Sequence, residues 1–150
     1  MSKKGKVLSM IPMAFTIVIL AAIFIAKTSY YFEKIQSGFF RSMAEASIWS
    51  GMSLLLSLSP MTMLAVSNLF ILINKTKKNT AIIVIAIIAF LLCCILLVIN
   101  IAFELVSAMG ATMCLDVQWM DIMSKMLLYH FVSAIPILAT FIALLRMRVR

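Results

Sequence analysis

The residues able to do chemistry in this chain are few and widely spaced. His130 is the only histidine, and histidine is the side chain that changes charge between pH 5 and 8. It stands five positions after Lys125, inside an uncharged run. There it would relay a proton or gate by charging. Its shallow position favours a quieter role, as a neutral imidazole hydrogen-bonded to Glu104 or to a serine. Asn100 and Glu104 lie one helical turn apart. They form either a cation-attracting mouth or the polar end of an apolar stretch. Nucleophilic catalysis needs a serine or cysteine with a base and an orienting group, and no spacing fixes such a set. The chain has no G-x-S-x-G, no H-E-x-x-H and no phosphate loop.

The sulfur residues point to packing. Cys93 and Cys94 are vicinal, and Cys114 follows 21 positions after Cys93. On a continuous helix that separation is about 30 Å, far beyond disulfide reach. No Cys/His spacing suits zinc. The thirteen Met residues are spread along the chain over several faces, as expected of adaptable apolar filler. The expectation is therefore no catalytic residue, no cofactor, no metal and no enzymatic activity. The polar residues that remain as functional candidates are His130, Glu104 and Asn100.

The elements that position these residues follow from where charge is absent. Of 150 residues, 65% are hydrophobic and 12% charged. A soluble domain has about 45–50% apolar and about 25% charged residues. Mean hydropathy is +1.16. This balance excludes a soluble domain, a disordered tail and a nucleic-acid-binding module. Four uncharged runs, 7–26, 46–74, 79–103 and 126–145, are each long enough for a hydrocarbon core about 30 Å thick. The run Ile82-Ile83-Val84-Ile85-Ala86-Ile87-Ile88 does not alternate as a barrel strand does. The expected fold is all-α: one membrane domain over 1–150, with four transmembrane helices in a compact bundle. The first run exceeds a signal-peptide core and lacks a small-x-small cleavage site, so it reads as an uncleaved span.

Charge orients these spans. Lys3, Lys4, Lys6, Lys75, Lys77, Lys78, Arg146, Arg148 and Arg150 fall on one side with no acid. Lys27, Lys34, Arg41 and Lys125 share the other side with Glu33, Glu45, Glu104, Asp116 and Asp121. Basic residues mark the cytoplasmic side, so both termini are expected inside, in a bacterial inner membrane. The basic side contacts anionic lipid head groups, which accounts for the net charge of +8 without nucleic acid. Both Trp and all three Tyr fall on the outer side, as an interfacial belt does. Residues 27–45 and 110–125 read as short amphipathic helices in the outer interface. In the second, Trp119, Asp116 and Asp121 are candidate contacts for an outside factor.

Helix association in lipid relies on close backbone approach and polar contacts. Ala86, Ala89, Cys93, Asn100, Glu104 and Ser107 share one face of the third span. Ser50, Ser53, Ser57, Pro60, Ser67 and Asn74 form a stripe on the second, and His130, Ser133 and Thr140 one on the fourth. The first span offers only Ala22, Ala26 and Thr16 and is expected to be the most peripheral. Pro12 is placed near a helix start. Pro60 and Pro136 sit inside spans, where Ser57, Ser59 or Ser133 would satisfy the carbonyls they free. In size and topology the chain resembles the four-helix immunity proteins that protect against pore-forming bacteriocins. That resemblance of gross form implies a non-catalytic role by contact with another membrane protein or an external factor. The alternative is a subunit of a small oligomeric transporter or channel.

Overall fold

The computed structural model describes residues 3–36, 38, 42–77, 79–115 and 119–147. The side chains of 3–9, 45–46, 77, 108, 110–115 and 119–126 lie outside that description. The described residues form four helices, α1 (Lys3–Gln36), α2 (Met43–Lys77), α3 (Thr80–Leu115) and α4 (Trp119–Leu145), and no strand. Each contains a stretch long and apolar enough to cross a membrane: Met10–Gln36, Ser47–Thr76, Thr80–Ser107 and Leu127–Leu145.

Local chemistry sets the breaks. After α1, Gly38 adopts φ +68° and its N–H reaches the Ile35 carbonyl at 3.2 Å, the left-handed stop that glycine allows. The turn from α2 to α3 is built by two asparagines. Asn74 Oδ1 accepts the Asn79 N–H at 3.0 Å, and Asn79 Oδ1 accepts the Ala81 N–H at 2.9 Å, capping α3. Asn74 Nδ2 also lies 3.5 Å from Met147 Sδ, which brings the end of α4 to the same place. One end of the bundle, the terminal end, thus carries the start of α1, the end of α4 and the α2–α3 turn. The other is the distal end.

The helices run further than the uncharged stretches. Residues 27–36 continue α1, residues 110–115 belong to the end of α3 and residues 119–125 to the start of α4. Neither outer segment is a separate helix among the described residues. An unbroken helix keeps its backbone groups paired within the segment, and Lys27, read as a boundary charge, finds a partner inside the bundle. Pro12 likewise lies within α1 and not near its start. Pro60 is buried inside continuous α2. The Ser59 hydroxyl donates to the Leu56 carbonyl at 3.4 Å, the acceptor a proline at 60 leaves free.

Both α2 and α4 pack on all three other helices, whereas α1 and α3 stand across the diagonal without close backbone approach. α1 shares with α4 the lowest burial of the four spans, as a peripheral helix would, yet it packs on α2 and supplies Thr16, Ile19, Ile23 and Lys27 to the interior. Those positions keep one helical face. Thr16 is visible as a polar residue in the sequence, whereas Ile19, Ile23 and Lys27 are β-branched or charged, so a search for small residues passes over them.

The interior is layered. Its apolar centre consists of Ile19, Ile23, Met61, Leu64 and Cys93, with Leu58, Phe90 and Ile137 packed against it. Towards the terminal end lies a polar layer centred on Asn68. Its amide donates to Thr16 Oγ1 (3.2 Å) and Thr140 Oγ1 (3.0 Å), tying α2 to α1 and α4. Each threonine hydroxyl is 2.7 Å from the carbonyl of a proline four residues earlier, Pro12 or Pro136. Both hydroxyls can therefore donate to proline and accept from Asn68. Beside them, Ser67 donates to the Ala86 carbonyl of α3 at 2.8 Å, an approach that fully buried Ala86 permits. The outside is apolar: Leu55, Val98 and Phe131 are 71%, 64% and 75% exposed.

A buried neutral hydrogen bond contributes about 0.5–1.5 kcal/mol. Asn68→Leu removes two interhelical bonds and should lower stability by about 1–3 kcal/mol in detergent unfolding. Leu55→Ala, on the outside, should stay within about 0.5 kcal/mol of the parent protein.

Candidate functional site

At the distal end of the interior a second polar layer carries charge. Lys27 enters from α1, Ser53 from α2, Glu104 from α3 and His130 from α4. Glu104 Oε1 accepts from Lys27 Nζ at 3.0 Å, and Glu104 Oε2 lies 3.1 Å from His130 Nε2. Lys27 Nζ also reaches Ser53 Oγ at 3.4 Å. All four helices meet at this joint. The side chains of Lys27, His130 and Glu104 are 24%, 18% and 11% exposed, so the carboxylate is the most enclosed member. Its two oxygens are taken by different partners, and a carboxylate can only accept, so His130 Nε2 is the donor wherever Glu104 is ionised. The Lys27 contact spans the diagonal that the backbones of α1 and α3 leave open.

Just inside the joint the polar layer continues. Tyr129 OH donates to the Ser57 carbonyl at 3.0 Å, and the Ser57 hydroxyl donates to the Ser53 carbonyl at 2.7 Å. Asn100 is fully buried, and neither its Nδ2 nor its Oδ1 has a hydrogen-bond partner among the described residues. The same holds for His130 Nδ1 and Ser133 Oγ. Beyond the joint, α1 and α2 part to leave an open, mostly apolar groove of about 270 Å³ between Thr28, Tyr31, Phe32, Ile35, Ser50, Gly51 and Leu54.

Of the residues singled out from sequence, His130 and Glu104 are in contact, as the quieter reading of His130 anticipated. Asn100 lies one turn from Glu104 on the same face but does not bond to it. Asp116 falls outside the described residues. Trp119 and Asp121 lie on α4, with side chains outside the description. Sequence reasoning missed Lys27 and Asn68. Lys27 marked the end of an uncharged run, and a residue used as a boundary is not sought as an interior partner. Asn68 adjoins Ser67 and so falls off the repeat that defined the α2 stripe. A usable signal was present: Pro-x-x-x-Thr occurs at Pro12–Thr16 and again at Pro136–Thr140.

The described residues contain no group of three or more His, Cys, Asp or Glu able to hold a metal ion. Cys93 and Cys94 are free thiols, and the side chain of Cys114 is outside the description. The joint is an ion pair with an imidazole, held by neighbours. Compared with known proteins, the chain matches no family model, no curated protein and no solved structure.

Removing one member of a fully buried ion pair costs about 3–5 kcal/mol, because the other charge is left alone. Lys27 retains some solvent, so Glu104→Gln should cost less than that but remain clearly destabilising in detergent unfolding. His130→Gln leaves the Lys27–Glu104 pair intact and should have a distinctly smaller effect in the same assay.

Proposed function

We propose that the chain is a small multi-pass protein of a bacterial inner membrane, with both termini cytoplasmic, that works by contact and performs no catalysis. The inverted distribution of side chains supports the membrane reading. Large apolar residues cover the outside of every helix, while threonines, serines and asparagines fill much of the inside. In lipid, polar and close-packing contacts hold helices together where the hydrophobic effect cannot. The charge asymmetry supports the orientation. Pairing Lys27 with Glu104 removes one charge of each sign from the distal side, so the basic excess at the terminal end is unchanged.

The observation that carries the contact reading is the apolar centre. Ile19, Ile23, Met61, Leu64 and Cys93 separate the distal charged layer from the Asn68 layer. Four helices packed in this way leave no continuous polar route for a solute. What the protein presents to partners is then its surface: the apolar helix faces toward another membrane protein, and the distal segments with Trp119, Asp116 and Asp121 toward an external factor. A regulatory, accessory or immunity-like role fits this form. A second reading, as a subunit of an oligomeric transporter or channel, is favoured by the charged joint, since ionisable groups inside apolar helices often mark ion paths.

Affinity capture of the full chain from native membranes in mild detergent, followed by mass spectrometry, separates the two. The contact reading predicts a stoichiometric partner of different sequence. Recovery of a homo-oligomer alone, with ion flux in liposomes, would overturn it.

A further inference from the structure

The buried polar atoms without protein partners lie at one level of the bundle. Asn100 precedes Glu104 by four residues on α3, and Ser133 follows His130 by three on α4. The two helices are antiparallel and are joined at the Glu104–His130 contact. Each step therefore leads about 4.5–6 Å from the joint toward the terminal end. Asn100 and Ser133, both fully buried, thus face the same interhelical space just beneath the joint. His130 Nδ1 is on the same ring as the nitrogen that touches Glu104. The Tyr129 hydroxyl adjoins this space and donates to the Ser57 carbonyl, while its oxygen can still accept from Ser133, so Asn100 and His130 Nδ1 are the atoms that most need a further partner.

Leaving an amide buried without hydrogen bonds costs several kcal/mol in an apolar setting. Such groups are characteristically served by buried solvent, each molecule of which uses two to four polar partners. The donor set decides the ligand. A cation would need carboxylate oxygens, yet Oε1 of Glu104 is held by Lys27 and Oε2 by His130. An anion would meet that same carboxylate. What remains is neutral and offers both roles: two N–H donors and an acceptor from Asn100, a hydroxyl from Ser133, and a ring nitrogen.

We propose that Asn100, Ser133 and His130 Nδ1 form a buried water-binding site, open toward the distal end and closed below by Cys93, Met61 and Leu64. Partial exposure of Lys27 and His130 provides the entry. His130 Nε2–H stays on Glu104, so Nδ1 accepts a hydrogen bond from the bound water. The inference holds whichever partner the protein contacts.

Because His130 is the sole histidine, histidine-selective 15N labelling gives one imidazole. Magnetisation transfer from water to that ring can be followed by NMR of the full chain in lipid bilayers. Transfer should be present in the parent protein and several-fold weaker in Asn100→Leu, with Ser133→Ala as the milder variant. Asn100→Leu should also lower the thermal midpoint, since it removes the anchor of a satisfied network. Absence of transfer in the parent protein, transfer unchanged in both variants, or a raised midpoint in Asn100→Leu would each overturn the proposal. A raised midpoint would mean that the amide is simply unsatisfied.

Discussion

One carboxylate organises the distal half of this protein. Glu104 accepts from Lys27 with one oxygen and from His130 with the other, and its partners come from α1 and α4. The backbones of α1 and α3 do not approach each other, so the diagonal is closed by side chains of opposite charge. Isolated in an apolar bundle, any one of these groups would be costly. Together they fix the rotation of three helices, because each must turn its polar residue to the same point. Positions one to three turns further in then face the interior as well: Ile23 and Ile19 behind Lys27, Asn100 and Cys93 behind Glu104, Ser133 and Thr140 behind His130.

The rest of the interior follows the same logic with neutral groups. Asn68 does for the terminal half what Glu104 does for the distal half, holding α1 and α4 against α2 through two threonines whose own protons are directed to proline carbonyls. Prolines in the helix interior normally weaken a helix. Here two of them sit one turn from the threonines that meet Asn68, so the same local sequence that disturbs the backbone also anchors the joint. Between the two joints lies the apolar cluster of Ile19, Ile23, Met61, Leu64 and Cys93. A bundle built in this way is defined by where its polar groups converge, with apolar surface left over for the outside. Such a surface suits the lipid and partner contacts proposed for it.

The fold was legible to the extent that it depends on the absence of charge. Four long helices follow from four uncharged runs, and the α2 stripe is buried from Ser53 through Ser57, Pro60 and Ser67 to Asn74, while Ser50 at its head is only half-buried. The α3 face is buried from Ala86 to Asn100, whereas Ser107, at its far end, is exposed. Helix ends were less legible, because charge marks the limit of an apolar run and not the limit of backbone hydrogen bonding; α1 continues nine residues past Lys27. The candidate site was half legible. His130 and Glu104 could be paired because both are rare polar residues near the same end of their runs. Lys27 could not, since lysine at the edge of a span has an ordinary explanation in orientation. Its pairing with a residue 77 positions away is a property of the tertiary arrangement alone.

The measurement that bears most directly on this account is a charge swap across the diagonal. Lys27→Glu and Glu104→Lys should each strongly destabilise the bundle in detergent unfolding, by placing like charges together. The double variant Lys27→Glu/Glu104→Lys should recover most of the loss, because it rebuilds the pair. If the double variant is as unstable as the two single effects combined, Lys27 and Glu104 do not hold α1 to α3, and the joint is not the organising interaction.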